Sequence, residues 1–272
     1  MKIFRYLTIA IVILVAAIWL GSKKDTQETF IPRDYPEIIS SGILRAVTEY
    51  NVVSFHVKDD TIQGFDYELL QAFATEKGLK LEITPEMSFT KRLDGISEGR
   101  YDLLAAGTTI TSELRDSLLF TRPLLLNKQV LVQRKQQQEA DSLYIHNQLE
   151  LAHKTLYVTK DSPALLRIHN LIDEIADTIY IQEIDRYGAE QLIAMVAEGD
   201  IDYAVCDEYI ARTFIGQYAN LDINTDISFT QFYAWGIGKY APALRDSLDF
   251  WLEAYQKSND YKKLYKKYFQ KQ

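Results

Sequence analysis

The sequence predicts an α/β protein built as two similar lobes with a cleft between them, and three observations lead there. Short β-type runs alternate with longer runs of helical spacing from Gly42 onward. The segment Glu98-Gly99-Arg100-Tyr101-Asp102 returns later as Glu198-Gly199-Asp200-Ile201-Asp202, each a helix end turning through glycine into a strand. The 272 residues, 47% of them hydrophobic, are enough for one large body or two small ones with a real core.

In chain order, Lys2 and Arg5 precede an apolar run from Tyr6 to Gly21, the pattern of an export signal. Bulky Ile18, Trp19 and Leu20 crowd the place where a signal peptidase needs small residues, and no cysteine follows for lipid attachment. Residues 1–22 therefore read as an uncleaved anchor holding the body on the outer side of the inner membrane, with a cleaved signal as the alternative. The run is somewhat shorter than the roughly 20 residues that span a bilayer. Residues 23–40 read as a polar tether without a packed face.

The body divides into a first lobe over 41–130, a second over 131–228 with hinge strands at its ends, and a return to the first lobe over 229–272. Strands are expected at 43–48, 80–84 and 101–106, with helices at 67–77 and 91–98 between them. This βαβαβ order implies a parallel sheet with helices on both faces. The second unit repeats it, with strands at 155–159, 178–184 and 202–205 and helices at 163–175 and 189–197. Strands at 129–135 and 229–239 cross between the lobes, and amphipathic helices at 242–255 and 261–269 close the chain. The last helix carries four lysines; it either packs on the first lobe or lies on an anionic membrane. In open α/β sheets, ligands bind beyond the carboxyl ends of the strands, so facing lobes form a binding cleft there.

Composition excludes several chemistries. A net charge of -8 argues against a nucleic-acid partner, because neutralising phosphates needs a basic face. The single cysteine, Cys206, permits no internal disulfide and reads as a small core residue rather than a nucleophile. His56, His146, His153 and His169 show no metal-ligand spacing, and no phosphate loop, dinucleotide fingerprint or serine elbow is present. No metal, no cofactor and no catalytic residue is expected.

Three motifs together resemble a known family: Gly64-Phe65-Asp66-Tyr67-Glu68-Leu69-Leu70, the stretch from Glu98 through Asp102-Leu103-Leu104-Ala105-Ala106-Gly107-Thr108-Thr109 to Thr111, and Phe120-Thr121-Arg122-Pro123. Over residues 40–270 the chain resembles the family 3 periplasmic solute-binding proteins, the amino-acid receptors of ABC importers. It resembles more closely the solute-binding-like domain that membrane-bound lytic murein transglycosylases F carry ahead of their separate catalytic domain. The resemblance implies a type II periplasmic binding fold that grips both charges of an α-amino acid. Its implied partners are a small-molecule ligand and either an ABC permease or the cell-wall machinery, with a regulatory module as the alternative to transport and a dehydratase as a third reading.

By the same resemblance the ligand-binding residues are Glu49, Tyr50, Phe89, Thr108, Thr109, Arg115, Ser162 and Asp207. Thr109, Arg115 and backbone N–H groups near Thr111 would take a carboxylate, but the family's usual arginine falls on Leu114, one residue and about 100° of helix away. Either the loop holds an extra residue and Arg115 still reaches the cleft, or the clamp is absent and Arg115 is a surface residue. Asp207 would take an ammonium, or cap the helix that follows it. Ser162 would offer its hydroxyl to the ligand, or cap a helix before Pro163. Phe89 matches a stacking aromatic, with Tyr50 and Phe55 near it; each is read equally as core packing.

Overall fold

The computed structural model describes residues 30–138, 142–185 and 187–270, so the expected anchor and the first part of the expected tether lie outside the described residues. Among the described residues no helix is long and apolar enough to cross a membrane.

The last part of the expected tether is not a polar linker. Residues Tyr35–Ser41 form a helix, α1, with Ile38 fully buried. Asp34 caps it, accepting from Tyr35 N–H at 2.7 Å while Glu37 reaches back to the Asp34 N–H, and Pro36 stands in its first turn. The same Asp34 carboxylate accepts from the N–H groups of Ala243 and Leu244, at 3.1 and 2.8 Å, where α8 (Pro242–Tyr255) begins. One side chain thus satisfies orphan donors of two helices, which pins this segment to the body.

Two sheets carry the structure. In the first, β1 (Ile43–Thr48) lies between β4 (Lys80–Pro85) and β5 (Leu103–Thr109), all parallel, joined by α2 (Phe65–Glu76) and α3 (Phe89–Ser97). In the second, β9 (Thr155–Thr159) lies between β10 (Tyr180–Ile184) and β11 (Ala204–Asp207), again parallel, joined by α5 (Ala164–Ile175) and α6 (Ala189–Glu198).

The strands of each βαβαβ unit lie parallel as expected, and the strands that cross between the sheets join them antiparallel. β13 (Gln231–Gly238) joins the first sheet antiparallel to β5, with β6 (Leu118–Phe120) and β7 (Leu125–Asn127) on its other edge. β8 (Gln129–Arg134) joins the second sheet antiparallel to β11 and carries the short β12 (Leu221–Asp222). These strands come from the other sheet and enter where the parallel strands end, with Gln129 opposite Asp207 and Tyr233 opposite Thr109, so they run the opposite way. A small hairpin, β2 (His56–Lys58) with β3 (Thr61–Gln63), stands beside the first sheet.

One core lies under α2, α8 and α9 (Asn259–Phe269), joining Phe65, Phe73, Trp235, Trp251 and Leu264. The apolar face of α9 is therefore covered by protein, with Tyr261 and Leu264 buried, and the membrane reading of this helix loses the surface it needs. Separate apolar clusters cover the other face of the first sheet and the two faces of the second.

Candidate functional site

A cavity of about 300 Å³ opens where the carboxyl ends of β1, β5, β9, β10 and β11 converge. Its wall includes Glu49, Phe89, Thr108, Thr109, Ser162 and Asp207, six of the eight residues expected from the sequence. Each of these stands at a strand end or a helix start, so the architecture delivers them to one place from distant parts of the chain.

Asp207 ends β11 and remains partly open to the cavity. Its side chain makes no capping bond to α7 (Glu208–Ile215); instead the Tyr233 hydroxyl donates to it at 2.6 Å. Burial pushes this carboxyl up to about 7; the Tyr233 hydrogen bond opposes that shift and the charge of Glu49 adds to it. Two carboxylates close enough to repel across a small cavity make a site that a bound cation would relieve.

Glu49, just past β1, pairs with Arg92 at 3.2 Å. Arg92 lies on α3 with 4% of its surface exposed, donates to the carbonyls of Glu86 and Met87 at 2.6 and 3.0 Å, and stands 5.5 Å from the Phe89 ring centre. Thr108 and Thr109 are buried at the end of β5, with the Thr108 hydroxyl donating to Ala106 O. Ser162 accepts from Ala164 N–H at 3.2 Å, so it organises the start of α5 while also lining the cavity.

Two expected residues are elsewhere. Arg115 sits exposed on the short helix α4 (Ser112–Ser117) and does not line the cavity. Helical phase explains this: Leu114, one position earlier, is the residue turned inward, packing on the cluster of Val47, Ile96 and Leu104. Tyr50 is 44% exposed and also outside the cavity, its ring edge-on to Phe55, which is buried in turn against Tyr67.

Other wall residues escaped the sequence reading. Arg92 follows Phe89 by three residues on one helix, a spacing that puts both on the same face and could have revealed it. Tyr233 and Gln129 left no such signal, since they reach the site through strand register, opposite Thr109 and Asp207 respectively. Burial pushes the Cys206 thiol up, which keeps it protonated and a poor nucleophile.

Besides the Tyr233–Asp207 bond, further hydrogen bonds join the first-sheet and second-sheet sides near the cavity. Val52 N–H donates to Glu190 at 2.7 Å, and the Ser88 hydroxyl meets Asp161 at 3.2 Å.

Comparison with known proteins bears on the fold that holds this cavity. The model of bacterial extracellular solute-binding proteins, family 3, matches residues 44–271. The membrane-bound lytic murein transglycosylase F of Desulfosudis oleivorans is 28% identical over 236 residues, covering 86% of this chain and 50% of that protein. The chain spans half or less of the length of such relatives. Among solved structures, an amino acid ABC transporter substrate-binding protein from Streptococcus pneumoniae bound to L-arginine superposes with a TM-score of 0.73 at 23% identity, covering 87% of this chain and 98% of that one. The ancestral amino acid-binding protein AncCDT-1, a precursor of cyclohexadienyl dehydratase, does so with a TM-score of 0.72 at 24% identity, covering 86% and 98%. At these identities the likeness shows the fold, two α/β lobes.

Proposed function

This chain belongs to the bacterial extracellular solute-binding proteins, family 3, and on that premise we propose that it is a periplasmic receptor whose two lobes close over a small ligand bearing an ammonium or other cationic group. Amino acids and short cell-wall peptides are the ligands in view. The observation that carries this reading is Asp207, a carboxylate at a strand end, partly open to a cavity of about 300 Å³ and facing the charge of Glu49. Thr108, Thr109 and Ser162 would position the rest of the ligand, and Phe89 would pack on it. The lobes would hinge where the chain passes from β7 to β8 and from β12 to β13. We read the site as one for binding rather than turnover.

Calorimetry with a panel of amino acids and muropeptide stems tests this reading. A binder should lose at least ~30-fold in affinity in Asp207→Asn, the cost of removing one partner of a desolvated charge pair; an unchanged affinity would remove Asp207 from the site. The pH dependence has a fixed sign. Because the carboxyl of Asp207 is raised to about 7, its charged form is lost as pH falls through 7, so affinity for a cation should rise from pH 6 to pH 8 and flatten in Asp207→Asn.

A second reading follows from the transglycosylase relatives, in which a domain of this kind makes up half or less of the protein. Here the chain would sense a cell-wall fragment for a membrane partner rather than deliver solute to an importer. A muropeptide stem as the tightest binder of the panel favours sensing, and a free amino acid favours transport.

A further inference from the structure

Glu190 does not line the cavity, yet it joins the two lobes beside it. It stands half-buried in the first turn of α6, on the second lobe. A carboxylate there ordinarily serves its own helix, whose N-terminal N–H groups and dipole favour an acid. That start is already closed: the N–H groups of Gln191 and Leu192 reach the Gly188 carbonyl at 3.2 and 3.3 Å, and the Gln191 side chain takes the Gly188 N–H at 2.9 Å. Glu190 instead reaches the other lobe and accepts from Val52 N–H at 2.7 Å.

Val52 belongs to the turn that follows Glu49, and its side chain packs on the core of the first lobe. The turn satisfies its other donors internally. Asn51 and Phe55 exchange backbone hydrogen bonds at 3.0 and 3.1 Å, and the Asn51 carboxamide oxygen takes the N–H groups of Val53 and Ser54 at 2.9 and 2.6 Å. Val52 N–H is the donor of this turn whose acceptor comes from the second lobe. Burial pushes the Glu190 carboxyl up and the bond from Val52 opposes that shift, as a hydrogen bond to the charged form does.

Two more contacts cross between the lobes here. The Ser88 hydroxyl accepts from Lys91 N–H at the start of α3 and gives its own proton to Asp161 of the second lobe. Met87 lies against Gly188, where an added Cβ would stand 3.3 Å from the Met87 methyl carbon. Met87, Ser88 and Asp161 line the cavity, so changing them changes the site itself, whereas Glu190 and Val52 do not line it.

We infer that Glu190 is a positioning residue that latches the lobes: its bond to Val52 holds them together before a ligand enters, and so sets the closed fraction of the protein without touching the ligand. This deepens the binding reading above and rests on its premise that the lobes move about the two crossings. Separating the lobes breaks the bond and returns both partners to water, a change worth roughly tenfold in an equilibrium for a hydrogen bond to a charged acceptor. The apparent affinity of a receptor scales with the fraction of it that can hold the ligand, so the latch raises affinity from outside the cavity.

The test is single-molecule energy transfer between a dye on each lobe of the full chain without ligand, which counts open and closed molecules. Wild type should populate the closed form. Glu190→Ala should lower the closed-to-open ratio roughly tenfold, and Glu190→Gln, which keeps an acceptor oxygen, should recover part of that loss. Thermal melting of the same variants separates a latch from a merely structural residue. A wild type open throughout, a Glu190→Ala ratio within about threefold of wild type, or a Glu190→Gln ratio as low as that of Glu190→Ala each overturns the inference. So does a variant that melts lower while its closed fraction is unchanged. These outcomes involve no ligand, so calorimetry with the amino-acid panel judges the binding reading separately.

Discussion

The turn at residues 98–102 and the turn at 198–202 share the letters Glu-Gly-x-x-Asp and the same left-handed glycine, yet they do different work. In the first, Asp102 is fully buried and accepts from Arg33 at 2.5 Å, from Arg45 at 2.7 Å and from the Arg45 N–H at 2.9 Å. In the second, Asp202 is half exposed and pairs with Arg134. What differs is the cover. The segment that carries Pro32 and Arg33 lies over the first turn, and the second turn faces solvent. A repeated motif thus fixes a backbone path, while its energetic weight depends on what the rest of the chain lays on top.

Asp102→Ala should give the largest effect. It removes the carboxylate shared by two arginines and a backbone N–H, although Arg33 keeps the Ser41 hydroxyl and the Ile43 carbonyl; breaking a buried pair from one side costs about 4 kcal/mol, or roughly 10 °C in melting temperature for a domain of this size. The arginines keep some exposure, 18% and 19% of their side chains, which lets water recover part of the loss. A loss below about 1 kcal/mol would mean that the cover over the first turn contributes little.

The glycines sharpen the same contrast. A Cβ on Gly99 would stand 2.5 Å from the nitrogen and 2.7 Å from the Cα of Pro32, backbone atoms that cannot rotate away, whereas one on Gly199 would meet nothing within 4 Å. Both residues have positive φ, 73° and 88°, so both alanine variants carry the left-handed penalty of roughly 1–2 kcal/mol. Gly99→Ala adds an overpacking cost and should total about 3 kcal/mol, against about 1 kcal/mol for Gly199→Ala, in denaturant unfolding. Equal losses would show that the Pro32 segment yields freely.

This contrast also marks the limit of what was legible in the sequence. The alternation of strands and helices and the glycine that ends each matched turn are local signals, and the elements lie where those signals put them. Asp207, Ser162 and Thr109 reach one cavity because strand ends and helix starts converge, which topology alone dictates. The cover on the first turn was not legible: α1 is only seven residues long, and its Asp34-Tyr35-Pro36-Glu37 start was read as part of a tether although it carries a capping signature. Whether Arg115 reaches the cleft turns on one residue of helical phase, a choice the sequence leaves open and the packing of Leu114 decides. Tyr233 and Gln129 depend on register between strands far apart in sequence, which no local pattern encodes.

The smallest effect is expected at Asp202, and it bears most directly on whether the two turns are equivalent. Arg134 does not rely on Asp202 to stay in place: it also donates to the carbonyls of Val196 and Ile201, at 3.1 and 2.8 Å, closing the end of α6. Removing the carboxylate therefore leaves a guanidinium still hydrogen-bonded and still open to water. Because 48% of the Asp202 side chain is exposed, the pair falls in the surface class, worth at most about 1 kcal/mol and weakened further by salt. Asp202→Ala should lose no more than that in denaturant unfolding at low salt, and less at 0.5 M salt. A loss approaching that of Asp102→Ala would mean that the motif itself, and not the segment laid over it, sets the strength of the turn.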